Sequence, residues 1–163
     1  VKKQDQIQEI VKAISVREKV ALITISGAGM IGVPGVAARV FTSLSQKKVN
    51  ILMISQGSSE VNISIVIDKG DLDPALSTLR KEFVNRQVVK DVSCTEEVAV
   101  MAVIGAGMRG TKGVAARVFT SVANVGVNVL MISQGSSEVN ISFVVGKKDA
   151  KKAAKALHKE FIH

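Results

Sequence analysis

Tryptophan and tyrosine are absent from this 163-residue chain, and aromatic residues make up only 3% of it. Any core must therefore be built from Val, Ile, Leu, Ala and Met, which a hydrophobic fraction of 47% allows. Modules that grip single-stranded nucleic acid stack bases on aromatic side chains. That platform is missing, so the net charge of +8 does not by itself point to a nucleic-acid partner. The lysines are dispersed, and their densest group, from Lys147 to Lys159, reads as the solvated face of a helix. Cys94 is the single cysteine, which excludes an intrachain disulfide and suits a reducing, cytoplasmic setting. No apolar run approaches the ~20 residues that a membrane span needs. The first residues lack the apolar stretch of a signal peptide, and no initiator Met precedes them. Residues 1–9 are accordingly expected to be the leader of an excised region.

What the chain does have is a repeat. Displaced so that Val20 falls on Val98, it matches itself. Gly27 to Met30 falls on Gly105 to Met108, Gly35 to Ser43 on Gly113 to Ser121, and Leu52 to Ser64 on Leu130 to Ser142, all without a change. About two-thirds of positions from Val20 to Ile67 are identical in the second copy. The register extends downstream, where Asp71, Ala75, Leu79 and Phe83 fall on Asp149, Ala153, Leu157 and Phe161. Upstream, Val11, Lys12 and Ser15 fall on Val89, Lys90 and Ser93.

Within one copy, Val20–Ser26 is apolar and β-branched, the pattern of a buried strand. A Gly-rich loop follows, then a helix from about Pro34, a residue suited to a first helical turn. Val36, Val40, Phe41 and Leu44 fall on one face of it. Val49–Ser55 is a second strand, and a turn-like segment from Gln56 to Glu60 leads into a third, Val61–Ile67. So short a connection makes an antiparallel hairpin. A second helix begins near Asp71, an N-cap residue type, with Leu72, Ala75, Leu76, Leu79 and Phe83 as its apolar stripe. Val88–Cys94 closes the unit. The order is βαββαβ, a ferredoxin-like α+β fold with helices on one sheet face.

The second copy has no matching last strand. A spare strand, Ile10–Val16, stands at the start of the chain in the same register. Either it completes the second domain, or each strand stays with the domain that follows it. The first arrangement leaves no bare sheet edge and is preferred. It gives one domain over residues 17–95, inserted in a second made of 10–16 plus 96–163.

Gly27, Gly29 and Gly32, repeated as Gly105, Gly107 and Gly110, match the dinucleotide fingerprint GxGxxG. That fingerprint needs a parallel crossover and an acidic residue ending the next strand. Here the next two strands form a hairpin, and Gln56 or Gln134 takes the acidic place. The glycines instead let backbone approach a small ligand, whose carboxylate the following helix start can bind. Gln56 and Gln134 can each offer a donor and an acceptor, or simply start a turn. Asn50 and Asn128 are equally ambiguous. Glu60 and Glu138 are isolated acids, Ser58 and Ser59 have no nearby His, and His158 and His163 have no metal-ligand spacing. No catalytic or metal site is expected.

The run from Gly27 to Phe41, followed by that from Val49 to Ser64, resembles the tandem ACT domains at the C-terminal end of aspartate kinases, and both copies match. The resemblance covers about Ile10 to Phe161. It implies two ferredoxin-like ACT domains in tandem, the first inserted in the second, and an allosteric role in feedback inhibition of aspartate-family amino-acid biosynthesis. It implies an effector site built from Met30, Gly32, Val33, Pro34, Gly35, Val36, Ala37 and Gln56, closed by Asn128 and Val129 of the facing module. By the repeat, Gly110, Gly113, Ala115, Gln134, Asn50 and Ile51 form a sister site. The loops differ, because Ile31, Val33 and Pro34 become Arg109, Thr111 and Lys112. The Met-Ile-Ser-Gln-Gly-Ser-Ser-Glu pattern resembles threonine-sensitive members more than lysine-sensitive ones. Threonine is therefore the expected effector and lysine the alternative, with a dimerisation module that binds no ligand as a further alternative. The expected partners are a second copy in a homodimer and an aspartate kinase catalytic domain, with neither nucleic acid nor membrane. No cofactor is expected in this chain, since ATP and Mg would belong to the kinase domain.

Overall fold

A computed structural model describes residues 10–27, 34–56, 62–85, 87–134 and 139–162. The chain divides into two compact units, one continuous from Lys19 to Glu96, the other made of Val1–Glu18 and Glu97–His163.

In the continuous unit, β2 (Val20–Ser26), β3 (Ile51–Gln56), β4 (Asn62–Asp68) and β5 (Asp91–Thr95) form one sheet in the order β3-β4-β2-β5. Every neighbouring pair is antiparallel. Helix α1 (Val36–Gln46) and helix α2 (Leu72–Leu79) connect the strands, and α2 runs on into a π-helical turn at Arg80–Val84. Ala21, Ile23 and Ile25 alternate on β2 with Ile63, Ile65 and Ile67 on β4, and all six are buried against Val40, Leu44, Ala75, Leu79 and Phe83 of the helices. Removing such an Ile side chain from water stabilises the fold by about 1.5–3 kcal/mol. Val66, on the opposite face of β4, is also buried, with Met53 as its cross-strand partner.

The discontinuous unit repeats this plan. Strands β1 (Ala13–Arg17), β6 (Val98–Ile104), β7 (Val129–Gln134) and β8 (Asn140–Gly146) are ordered β1-β6-β8-β7, with helices α3 (Val114–Asn124) and α4 (Ala150–Phe161). Strand β1 lies antiparallel to β6, from Ala13 opposite Ile104 to Arg17 opposite Val100. Val11, just ahead of it, is buried in the same core as Met101, Phe143 and Phe161. Both units thus have the ferredoxin-like layout of an α+β fold.

The structure moves several boundaries. Helix α1 begins at Val36 rather than Pro34, because Gly35 takes a left-handed conformation, φ 81°, that ends the loop. Asp71 makes no side-chain cap on α2. A 3-10 turn at Lys69–Asp71 precedes that helix, and the Asp71 carboxylate accepts the Asn50 N–H at 3.3 Å instead. Strands β1, β3 and β5 each start later than hydrophobicity alone suggests, at Ala13, Ile51 and Asp91, since a buried residue need not be paired. The register of β3 on β4 slips between Ile51 and Met53, and that of β7 on β8 between Val129 and Met131. One extra residue in each edge strand makes a bulge that bends it.

Candidate functional site

Each Gly-rich loop runs from the end of a central strand to the start of a helix. Its first glycine has a packing duty. A side chain at Gly27 would run into the backbone of Val89 and Lys90, and one at Gly105 into that of Ile10 and Val11. There the chain crosses close by, with the Lys90 N–H donating to the Ser26 carbonyl at 2.9 Å and the Lys12 N–H to the Ile104 carbonyl at 2.8 Å. The sequence pattern alone assigns these glycines to a ligand. Their close neighbours show that they admit the segment leading into the sheet's outer strand.

Gly35, Gly110 and Gly113 do face open space. Gly110 and Gly113 have φ 73° and 83°, and a Cβ on either would meet nothing within 4 Å. From Gly105 to Thr111 the loop is held by its own bonds. The Met108 N–H donates to the Gly105 carbonyl, the Thr111 N–H to the Met108 carbonyl at 3.1 Å, and the Thr111 hydroxyl to the Gly107 carbonyl at 2.7 Å. Met108 anchors the loop in the core. A cavity of about 350 Å³ opens here, lined by Met108, Gly110, Thr111, Lys112, Gly113, Val114, Ala115 and Ile141. That is within the range of roughly 300–1,000 Å³ typical of small-molecule sites.

The structure therefore brings Gly110, Gly113 and Ala115 to one cavity. Gln134 ends β7 with its Cα opposite that of Ile141, which lines the same cavity. The corresponding pair in the other unit is Gln56 and Ile63. Of the loop at the start of α1, Pro34 and Gly35 are exposed, Val36 is buried and Ala37 is half-buried. Met30, Gly32 and Val33 lie outside the described residues, as do Ser58, Ser59, Glu60, Glu138 and His163. Asn50 and Ile51 stand at the far end of β3 from Gln56, where the Asn50 amide donates to the Asp68 carboxylate at 3.5 Å. Asn128 and Val129 hold the matching place before and on β7, Asn128 exposed and Val129 half-buried.

Chemically, the cavity suits an anionic group. Helix α3 starts at Gly113 with no side-chain cap and no acidic residue in its first turn. Its first N–H groups thus point outward without a carboxylate to compete for them, and the helix dipole adds positive potential. Lys112 adds a cation at the rim. Among the described residues, no group of His, Cys, Asp and Glu is placed to hold a metal ion. None of their helices is long and apolar enough to cross a membrane.

Sequence reasoning missed the role of the repeated arginine. The guanidinium of Arg117 lies over the Phe161 ring at 4.6 Å and donates to Glu160 at 2.8 Å, tying α3 to α4. Arg39 likewise covers Phe83 at 5.1 Å. The shared spacing of Arg, Glu and Phe in both copies was the available signal.

Two βαββαβ units built on one repeated sequence match the ACT domain model over residues 23–83 and 101–161, and the chain belongs to the ACT domain family. Its relatives are aspartokinases. It is 34% identical over 156 residues to the bifunctional aspartokinase/homoserine dehydrogenase of Haemophilus influenzae, covering 94% of this chain. The chain spans only 19% of that relative's length, so most of that protein lies outside the matched part. Among solved structures, the ligand-free regulatory subunit of aspartate kinase from Thermus thermophilus superimposes with a TM-score of 0.82 at 27% identity, covering 93% of this chain and 99% of that one. Aspartokinase III of E. coli in complex with lysine and aspartate gives 0.77 at 26% identity, covering 94% of this chain and 34% of that one.

Proposed function

We propose that this chain is the allosteric regulatory region of an aspartate kinase and that it binds threonine to mediate end-product feedback inhibition. The cavity at the Gly110–Ala115 loop carries this reading, because a loop of open glycines, an uncapped helix start and a lysine form a receptor for an α-carboxylate. An open glycine and an uncapped helix start recur at Gly35 and Val36 without the lysine, and Pro34, Gly35, Val36 and Ala37, with Met30, Gly32, Val33 and Gln56, make the principal site. The loop of Gly110, Gly113 and Ala115, which carries Thr111 and Lys112, together with Gln134 makes a second and unequal one. Threonine is preferred over lysine because the Gln56 segment resembles threonine-sensitive family members. Lysine is the second reading, favoured by the lysine-bound E. coli relative.

The kinase domain, with its ATP and Mg, lies elsewhere in the assembly, and the active form is a cytoplasmic homodimer joined through the ACT domains. Ile54, Leu130 and Ile132 are 46%, 46% and 48% exposed on the outer strands β3 and β7, which supports a protein partner at those edges. The mechanism is a population shift, in which the effector stabilises one of two assembly states by its differential affinity. Full switching takes about 5.5 kcal/mol, so several sites acting together in a symmetric dimer suit the task better than one. Isothermal titration of the chain with threonine, lysine and methionine is expected to show saturable heat with threonine. Heat with lysine alone would replace the effector, and no heat with any of the three would remove the sensing function.

A further inference from the structure

A second cavity, of about 810 Å³, lies in the continuous unit between the outward faces of α1 and α2. Arg39 from α1, Lys47 just after it and Lys81 from the π-helical turn supply cations, and Thr42, Ser43 and Thr78 supply hydroxyls. Glu82 is the single carboxylate in the lining.

The internal repeat provides a control within the same molecule. In the sister unit, Arg117 reaches across to Glu160 at 2.8 Å and to the Glu160 carbonyl at 3.4 Å, so the guanidinium spans the two helices. Among the described residues Arg39 makes no such ion pair. Substitutions between the copies change both walls: Lys47 and Thr78 stand where the sister unit has Val125 and Ala156, and Pro74 and Ser77 where it has Lys152 and Lys155, so the cations are arranged differently. The helix wall differs too, because the π-helical turn of Arg80–Val84 replaces the regular α-helix that continues to Phe161, and such turns recur at functional positions.

We propose that this interhelical groove is a second small-molecule site, separate from the glycine-loop cavity, and that it takes a polar organic anion with two or more carboxylate or phosphate groups. Three cations lining one groove match several separated anionic groups, and the hydroxyls serve the polar body between them. The lining has no aromatic and no large apolar side chain, which rules against a hydrophobic ligand.

The 163-residue chain, labelled with nitrogen-15, should be titrated with citrate and separately with pyrophosphate at constant ionic strength. Saturable amide shifts are expected at Thr42, Ser43, Lys47, Thr78 and Lys81. Citrate alone would assign carboxylates, and pyrophosphate alone phosphates. Lys81→Gln and Lys47→Gln should each weaken binding roughly two- to fivefold, the scale of a partly exposed ion pair. Lys159→Gln, which removes the equivalent charge from the sister unit, should leave it unchanged. Shifts that do not saturate, shifts spread over lysines of both units, equal effects of Lys81→Gln and Lys159→Gln, or no shifts at all would each overturn the proposal.

Discussion

Lys48 follows helix α1 with φ 56°, and the equivalent position after α3 is Gly126 with φ 75°. The two helix ends close alike, with the Val49 N–H on the Leu44 carbonyl and the Val127 N–H on the Val122 carbonyl. A left-handed backbone costs a side-chain-bearing residue about 1–2 kcal/mol, part of which glycine gives back as unfolded-state entropy. Lys48→Gly should therefore stabilise the continuous unit by roughly 0.5–1 kcal/mol, read as a higher urea midpoint. A lower midpoint would mean that Lys48 makes contacts worth more than its strain. Gln56 raises a separate question about binding. If its amide pairs with the effector, Gln56→Ala should weaken threonine binding by about 1–3 kcal/mol, the cost of stranding a buried polar partner. Unchanged affinity by calorimetry would place Gln56 outside the site.

Between helices, the repeated arginine acts as a clamp of two strengths. Arg117 combines a ring contact with an ion pair whose members are 32% and 38% exposed, and solvent limits such a pair to about 1 kcal/mol or less. Arg39 keeps the ring contact alone among the described residues, worth about 0.5–1 kcal/mol. A double-mutant cycle on Arg117 and Glu160 should return a coupling of about 0.2–1 kcal/mol, and Arg39→Ala should destabilise less than Arg117→Ala. Equal losses would make the clamp a matter of ring packing only. The shared spacing of Arg, Glu and Phe hinted at the clamp, but its two strengths were not legible, because both arginines sit in the same run with the same candidate partners. What was legible followed from periodicity. Ile63, Ile65 and Ile67 alternate because the strand is half-buried, and Leu72, Ala75, Leu76, Leu79 and Phe83 recur because one helix face is. The bulges beside Ile51 and Val129 and the packing of Gly27 and Gly105 depend on which strand lies alongside, and a single sequence does not encode that pairing locally. At the candidate site the glycine loop was readable as a loop. That Gly110 and Gly113 face open space while Gly105 lies against Ile10 required the tertiary neighbours.

At the scale of the whole chain, the two units differ in how their sheets are completed. The continuous unit holds all four of its strands between Val20 and Thr95, whereas the other takes its outer strand from Ala13–Arg17. A fragment of residues 19–96 should melt cooperatively by circular dichroism. One of residues 97–163 should not, until residues 1–18 are joined to it, because β6 would keep a bare edge and the core would lose Val11. Cooperative melting of 97–163 alone would show that β1 is dispensable. The same pairing fixes an order of events during synthesis. Strand β1 leaves the ribosome before the continuous unit is made, yet the helix that covers its sheet, α4, comes last. At roughly 5–20 residues per second, β1 waits on the order of ten seconds for its finished surroundings. Throughout that interval a short apolar strand is free to pair wrongly, and its nearest competitor is β5, which occupies the same place in the other copy. Ala13–Arg17 and Asp91–Thr95 differ at most positions, and exchanging the two segments should slow or misdirect folding if those differences guide each strand to its own sheet while the protein is being born.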